Sequence, residues 1–417
     1  MSAKNLRELA GPRYHPGAVT AQLPRRFGRY VLFDQIGEGG MARIYLGREQ
    51  TDLGAERRVV VKHILPLFAD SGELSRLLID EAKLAARLSH GNVVQVYDLG
   101  REEDTLYIAM EYVEGFDLSL LLRTCSKRKV PLPVEFSLLI VAETLRALDY
   151  AHRKKDDDGT PLGLVHRDVS PSNVLVAFDG QIKICDFGIA RAIGAHDALP
   201  DAAIQGKAGY MSPEAARGDA VDARSDLFAV GVILWELLAG RRFYKREGGK
   251  PPTLEQVQAF ELQPLPERGL PGERELHEIV NRALQRDPDG RFSSAKEMLK
   301  ELDGYIARSG LFASSLKLGE WLTDNFGAEI VEMRRAREAH SHRVDSSKPP
   351  PPEPDETTAS EAAAGSASPP SAELADAGGN APLDPAAPSK SDSRMWLVLL
   401  VVGLLLLIVI VLQFMRP

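Results

Sequence analysis

The sequence predicts an α+β chain in two lobes, a small β-rich lobe over residues 30–113 and a larger α-helical lobe over 114–305. Short β-branched and aromatic runs separated by turns occupy the stretch from Tyr30 to Val113, and amphipathic helical stretches dominate beyond Gly115. Within the second part stand His166-Arg167-Asp168-Val169-Ser170-Pro171-Ser172-Asn173 and, eighteen residues after Asp168, Asp186-Phe187-Gly188. The 417 residues leave room for a folded domain of about 250–300 residues with appendages.

The charged fraction of 26% and hydrophobic fraction of 44% are ordinary for a globular protein. A formal net charge of −8 argues against a general nucleic-acid binder, which needs a basic face, so no nucleic-acid partner is expected. Two cysteines, Cys125 and Cys185, imply no disulfide framework and fit a reducing compartment. No apolar run of signal-peptide length precedes the first strand, so export of the folded part is not expected. Residues 1–28 are polar, carry Gly11-Pro12, Pro16-Gly17 and Pro24, and read as a flexible lead-in.

From Tyr30 the pattern is strand, glycine turn, strand: Tyr30 to Ile36, then Gly37-Glu38-Gly39-Gly40-Met41-Ala42, then Arg43-Ile44-Tyr45-Leu46. Glycines let backbone amides approach phosphate oxygens with no Cβ in the way. A dinucleotide-binding turn has the same spacing, but it is followed by a helix in a βαβ rhythm. Here a strand follows. Arg57 to Lys62 is a β-branched strand ending in a lysine, which is either a cation at the wet end of a strand or an anchor for phosphates. The helical stretch from Glu73 to Leu88 has an apolar face of Leu74, Leu77, Leu78, Leu84 and Leu88. It carries Glu81, nineteen residues beyond Lys62, which reads as the lysine's ion-pair partner rather than as a solvated charge. Residues 92–99 and 105–113 complete the strands.

In the second lobe, residues 134–153 form a helix with a stripe of Leu138, Val141, Leu145 and Leu148, followed by a charged surface loop. Asn173 to Val176 and Gln181 to Ile184 read as a hairpin about Asp179-Gly180 that delivers Asp186. The pattern H-R-D-x-x-x-x-N followed by D-F-G is that of a phosphoryl-transfer site. Asp168 can accept a hydroxyl proton, while Asn173 and Asp186 can hold a metal ion beside the transferring phosphate.

Residues 30–305 thus resemble a bacterial eukaryotic-like (Hanks-type) serine/threonine protein kinase, and the Gly39-Gly40-Met41 turn and the His-Arg-Asp-Val-Ser-Pro wording are typical of that group. The resemblance implies a two-lobed protein kinase fold that transfers the γ-phosphate of ATP to Ser/Thr hydroxyls of protein substrates, with ATP and Mg2+ as cofactors. It implies Asp168 as catalytic base, Lys62 and Glu81 as the nucleotide-anchoring pair, and Asn173 and Asp186 as the magnesium ligands. The nucleotide site it implies is lined by Ile36, Gly37, Gly39, Gly40, Ile44, Val60, Lys62 and Met110, with backbone groups around Glu111 and Val113 facing the adenine. Ser212-Pro213-Glu214 matches the family's Ala-Pro-Glu element, Arg291 its partner arginine, and Asp226 the residue that braces the catalytic loop.

Four departures stand out. Ala42 replaces the third loop glycine, and Val60 replaces the alanine two residues before the lysine. Ser170 stands where serine/threonine kinases carry a lysine beside the moving phosphoryl group, and Ser172 stands where tyrosine kinases carry an arginine. Gly206-Lys207-Ala208-Gly209-Tyr210 replaces Gly-Thr-x-x-Tyr. The last two departures are read together: Lys207 is expected to supply the missing cation and join the catalytic set, the alternative being an exposed loop charge with weaker turnover. A membrane-anchored pseudokinase scaffold is the alternative that Ser170 keeps open. Between Gly188 and Met211 the one hydroxyl side chain is Tyr210, so no Ser/Thr phosphate is available to Arg167 there; Asp197 or Asp201 could offer it a permanent negative charge, the alternative being solvated aspartates on a mobile loop. Cys185 reads as packing.

Residues 306–340 read as a helical extension packed on the second lobe, and 341–394 as a disordered Pro/Ala/Ser-rich linker spanning roughly 40 Å. Met395 to Met415 is apolar apart from Gly403 and Gln413, which matches a single transmembrane helix through a bilayer core of about 30 Å. The expectation is a tail-anchored protein of the inner membrane with residues 30–305 facing the cytoplasm. No GxxxG pattern argues for helix pairing, and the oligomeric state has no sequence signal.

Overall fold

The computed structural model describes residues 23–39, 42–50, 56–65, 72–102, 104–187, 208–244 and 251–346. Residues 1–22, Gly40, Gly188, Asp197, Asp201, Lys207, residues 347–394 and the apolar stretch 395–415 lie outside the described residues. The end of the expected flexible lead-in is instead a strand from Arg25 to Phe27 with Phe27 buried, and the first residues of the expected linker, 341–346, continue a helix. Among the described residues no helix is long and apolar enough to cross a membrane.

Six antiparallel strands form the first sheet: β1 (Arg25–Phe27), β2 (Tyr30–Glu38), β3 (Ala42–Gln50), β4 (Glu56–Ile64), β5 (Val96–Glu102) and β6 (Thr105–Glu111). Their order is β1-β2-β3-β4-β6-β5. Alternation along β4 sets the two faces, because successive side chains of a strand point oppositely. Val59 and Val61 pack with Phe27, Tyr30, Leu32, Tyr45 and Ala109 on one side, while Val60 packs on the other with Met110, Val94 and Ile108. Helix α1 (Gly72–Ala86) covers this second face with Leu78 and Ala82, which are one helical turn apart. Two register shifts in the β2–β3 pair, at Leu32/Asp34 and Gln35/Gly37, bend β2 towards its turn.

The chain leaves β6 through Tyr112, Val113 and Glu114 and enters a small sheet of β7 (Gly115–Asp117), β8 (Val174–Ala177) and β9 (Ile182–Ile184). Gly115 is needed there, since a Cβ would lie 2.2 Å from the Val176 carbonyl oxygen. The second lobe is helical: α2 (Leu118–Arg128), α3 (Val134–His152), α4 (Pro213–Arg217), α5 (Ala223–Ala239), α6 (Leu254–Gln258), α7 (Glu273–Ala283), α8 (Ala295–Ser309) and α9 (Ser315–Ser346). Asp117, Ser212, Asp222, Thr253 and Ser294 cap helix N-termini with their side-chain oxygens, as short polar residues do. Helix α5 is buried along almost its whole length, from Ser225 to Leu238, so it reads as apolar all round rather than amphipathic. Around it pack α3, α7 and α8, with Trp235, Phe228 and Leu276 fully buried.

Helix α9 runs 32 residues with a kink at Phe326 (φ −130°, ψ 17°). Leu318, Leu322, Phe326 and Ile330 are buried in the core of the second lobe, and Trp321 rests on Phe136 with ring centroids 5.6 Å apart.

Candidate active site

Strand register brings the sequence-derived nucleotide residues together before any catalytic group is considered. Gly37 faces Ile44 across β2–β3, Ile44 faces Lys62 across β3–β4, and Val60 faces Met110 across β4–β6. The Gly39 N–H donates to the Ala42 carbonyl at 2.8 Å, closing the turn between β2 and β3. Ile36 stays exposed at 40%, unusual for an isoleucine and suited to covering a bound base. Val60, Val113, Leu175 and Cys185 are partly buried apolar side chains packed against the cluster that contains Met110. Together they offer apolar surface of the kind that suits a flat aromatic base. Cys185 therefore packs. The Glu111 N–H is already given to the Gln95 carbonyl (2.8 Å), so the carbonyl of Glu111 and the backbone of Val113 are the groups that would meet such a base.

The catalytic loop is held from three directions. Asp226, 1% exposed near the start of α5, accepts the backbone N–H groups of His166 and Arg167 at 2.8 Å each. His152 Nε2 lies 2.8 Å from the same carboxylate. Arg167 adopts φ 60°, a left-handed conformation costly for a residue with a Cβ, and these bonds hold it there. His166 spans from the loop to the Cys185 carbonyl at 3.0 Å and packs its ring 4.6 Å from that of Phe187.

Asp168, Asn173, Asp186 and Lys62 converge on one point. Asn173 Nδ2 donates to the Asp168 carbonyl (2.8 Å) and to Asp168 Oδ2 (2.9 Å), which orients the Asp168 carboxylate and fixes which end of the Asn173 amide is oxygen. Lys62 Nζ donates to Asp186 Oδ1 at 3.0 Å. Burial works against the ammonium's charge, but attraction to Asp186 and the hydrogen bond donated to it, with smaller contributions from Cys185 and Asp168, outweigh it and hold Lys62 above its usual pKa. An Asn oxygen and a carboxylate are hard donors, and Mg2+ takes one or two such protein ligands together with phosphate oxygens and water. The set Asn173 and Asp186 fits that ion, with Lys62 beside them to meet phosphate.

The expected Lys62–Glu81 ion pair is not what Lys62 makes: among the described residues its ion pair is with Asp186. Asp186 has φ 58°, which turns the end of β9 so that its carboxylate meets the ammonium. Glu81 sits half-buried on α1. Sequence spacing marks it as an acid on the right helix, but not how far that helix stands from β4.

Ser170 is buried, and its Oγ lies 3.1 Å from Ser172 Oγ, so the loop interior that lacks a cation closes on itself. Beyond the catalytic loop, Glu214 and Arg291 form a doubly hydrogen-bonded pair at 2.7 Å and 2.7 Å, fully inside the second lobe. Tyr210 donates to the buried Glu236 at 2.8 Å, with Arg242 on both.

Sequence reasoning missed the Lys183–Glu111 ion pair at 3.0 Å, which ties β9 to the segment joining the lobes. A signal existed: Lys183 alternates with buried Ile182 and Ile184, so it must point away from the core beneath it. It also missed His152 against Asp226, for which one sequence carries no signal.

A family model described as the protein kinase domain matches residues 30–302. Among curated relatives, the tyrosine-protein kinase MasK of Myxococcus xanthus is 38% identical over 305 residues, covering 73% of this chain and 47% of MasK. The serine/threonine-protein kinase PrkC of Bacillus subtilis is 35% identical over 272 residues, covering 65% of this chain and 39% of PrkC. The chain thus spans less than half the length of these relatives. Among solved structures, a double mutant of the Mycobacterium tuberculosis PknI kinase domain is 29% identical, with TM-score 0.50 over 67% of this chain and 97% of that one. Over residues 30–302, this chain belongs to the protein kinase domain family.

Proposed function

We propose that the chain is an ATP-dependent protein kinase that phosphorylates Ser/Thr hydroxyls of protein substrates from the cytoplasmic face of a membrane. The observation that carries the catalytic part is the convergence of Asp168, Asn173, Asp186 and Lys62. ATP and Mg2+ supply the transferable phosphoryl group and the charge that neutralises it. Lys62 would bind the phosphates, and Asn173 and Asp186 would hold the metal. Asp168, aimed by Asn173, orients the acceptor hydroxyl and takes its proton. PrkC and the PknB proteins, named as serine/threonine kinases, support Ser/Thr as the acceptor class, while the name of MasK supports tyrosine.

Membrane tethering rests on the apolar run 395–415 alone, and the cytoplasmic orientation on the need for ATP. Incubating the chain with radiolabelled ATP and a generic protein acceptor, beside Asp168→Ala, tests the enzyme reading, and phosphoamino-acid analysis assigns the acceptor. Label on serine and threonine that disappears in Asp168→Ala is expected. Label on tyrosine alone would overturn the acceptor class, and equal label in both proteins would favour the scaffold alternative. Recovery of the chain in the soluble fraction after cell lysis would refute tethering.

A further inference from the structure

Helix α9 begins clamped on the β8–β9 turn. A Cβ on Gly180 would lie 1.8 Å from the Ser315 carbonyl oxygen, and one on Gly319 would lie 2.8 Å from the Asp179 backbone. Past the kink at Phe326 the helix reaches the segment joining the lobes. Arg334 forks onto Glu114, Nε to Oε1 at 3.1 Å and Nη2 to Oε2 at 3.0 Å, with its guanidinium 5.7 Å over the Phe178 ring. One turn on, Arg337 donates to the Tyr112 hydroxyl and lies 5.4 Å over the Tyr112 ring. The helix also packs beside β2 of the first lobe.

Alternate side chains of an extended segment point oppositely. Tyr112 and Glu114 are taken by α9. Between and before them, Val113 packs against the apolar cluster that contains Met110, and Glu111 is fixed by Lys183 and by the Gln95 N–H at 3.2 Å. The segment whose backbone would meet the base is thus gripped from both sides, and the outer grip is two arginines.

We propose that Arg334 and Arg337 are positioning residues for the nucleotide: α9 is a strap across the two lobes, and through Tyr112 and Glu114 it sets the backbone angle at Val113. This rests on the ATP reading above. The apolar anchoring of α9, from Leu318 to Ile330, precedes these arginines. Arg334 is half-exposed, so its ion pair adds little to folding, whereas its effect on a three-residue connection is local.

The test uses the 417-residue chain and the double variant Arg334→Ala/Arg337→Ala, with the double lysine variant as conservative rescue. Arg128→Ala serves as the control, because it breaks the Arg128–Glu329 pair that docks α9 away from the connection. The readouts are the Mg-ADP dissociation constant by calorimetry, KM for ATP, kcat and Tm. The double alanine variant is expected to weaken ADP and raise KM about three- to tenfold. Its kcat should stay within about twofold, the lysine variant should regain part of the affinity, and Arg128→Ala should match wild type. Tyr112→Phe/Glu114→Gln, which releases the grip from the other side, should weaken ADP likewise and serves if the arginine variant does not fold. Unchanged ADP affinity with the grip released, or equal weakening in Arg128→Ala, would overturn the strap. A wild-type chain that binds no ADP would overturn the ATP reading and the strap with it.

Discussion

Replacing Arg291 with methionine should unpin the second lobe by a calculable amount. The Arg291 side chain is wholly buried and donates to both oxygens of Glu214 and to the carbonyls of Gln285, Arg224 and Arg286. Methionine fills much of the volume but leaves three carbonyls and a carboxylate without the donor they share. Breaking a buried pair on one side costs about 3–5 kcal/mol. The dependence on pH supplies a second signature. Desolvation alone would raise the Glu214 pKa, but hydrogen bonds from Arg291 and Ser225 and the charge of Arg291 bring it from 4.5 down to about 2. A depressed carboxyl stabilises the fold above its unfolded pKa and loses that contribution as pH falls through its folded one. A fall from 4.5 to about 2, at 1.36 kcal/mol per pH unit, is worth about 3 kcal/mol. In Arg291→Met the buried carboxyl has lost its cation and prefers a proton, so the variant should gain stability on acidification from pH 7 towards 4.5. Urea denaturation at pH 7, 4.5 and 3 measures both effects. A loss under about 1 kcal/mol at pH 7, or parallel pH profiles for the two proteins, would refute the reasoning.

Three other outcomes follow from the same structure. Burial first, then Arg25 and Arg43, lower the pKa of His63 from 6.5 to about 4, so this contribution is complete above pH 6.5 and lost as pH falls towards 4; His63→Leu should flatten the acid slope of stability in that window, and an unchanged slope would contradict the assignment. Gly180→Val, with φ 83° and the Ser315 oxygen in the way, should undock the start of α9 and cost about 2 kcal/mol or more, read as a lower urea midpoint; an unchanged midpoint would show that the approach is looser than 1.8 Å. Lys207→Ala should lower kcat by about 10²–10³ if Lys207 provides the cation that Ser170 does not, and near-full activity would end that proposal.

Much of the site was legible because its groups come as fixed spacings on short elements. Gly37 to Lys62 lies on adjacent strands, so a period of two and antiparallel register suffice to bring Ile44, Val60 and Lys62 together. The catalytic loop and Asp186 are joined by one tight hairpin, β8–β9, which leaves their separation little freedom. What was not legible depends on how elements lie against one another. The partner of Lys62 was misassigned because the position of a helix relative to a sheet is set by packing, not by the helix's own period. The reach of α9 was hidden for a related reason. Arg334, Arg335 and Arg337 read as a basic run, and only the docking of the Gly180 turn against Gly319 aims two of them at Tyr112 and Glu114.

Asp168, aimed by Asn173 and set beside Asp186 and Lys62, is proposed to take the proton of a protein hydroxyl as that hydroxyl receives the phosphoryl group of ATP. Steady-state incorporation of label from radiolabelled ATP, compared between wild type and Asp168→Ala at equal Mg-ADP affinity, addresses it most directly. Label incorporation in Asp168→Ala is expected to fall by at least about 10³ while nucleotide binding stays within a few-fold. Equal incorporation by the two proteins, with binding intact in both, would contradict it.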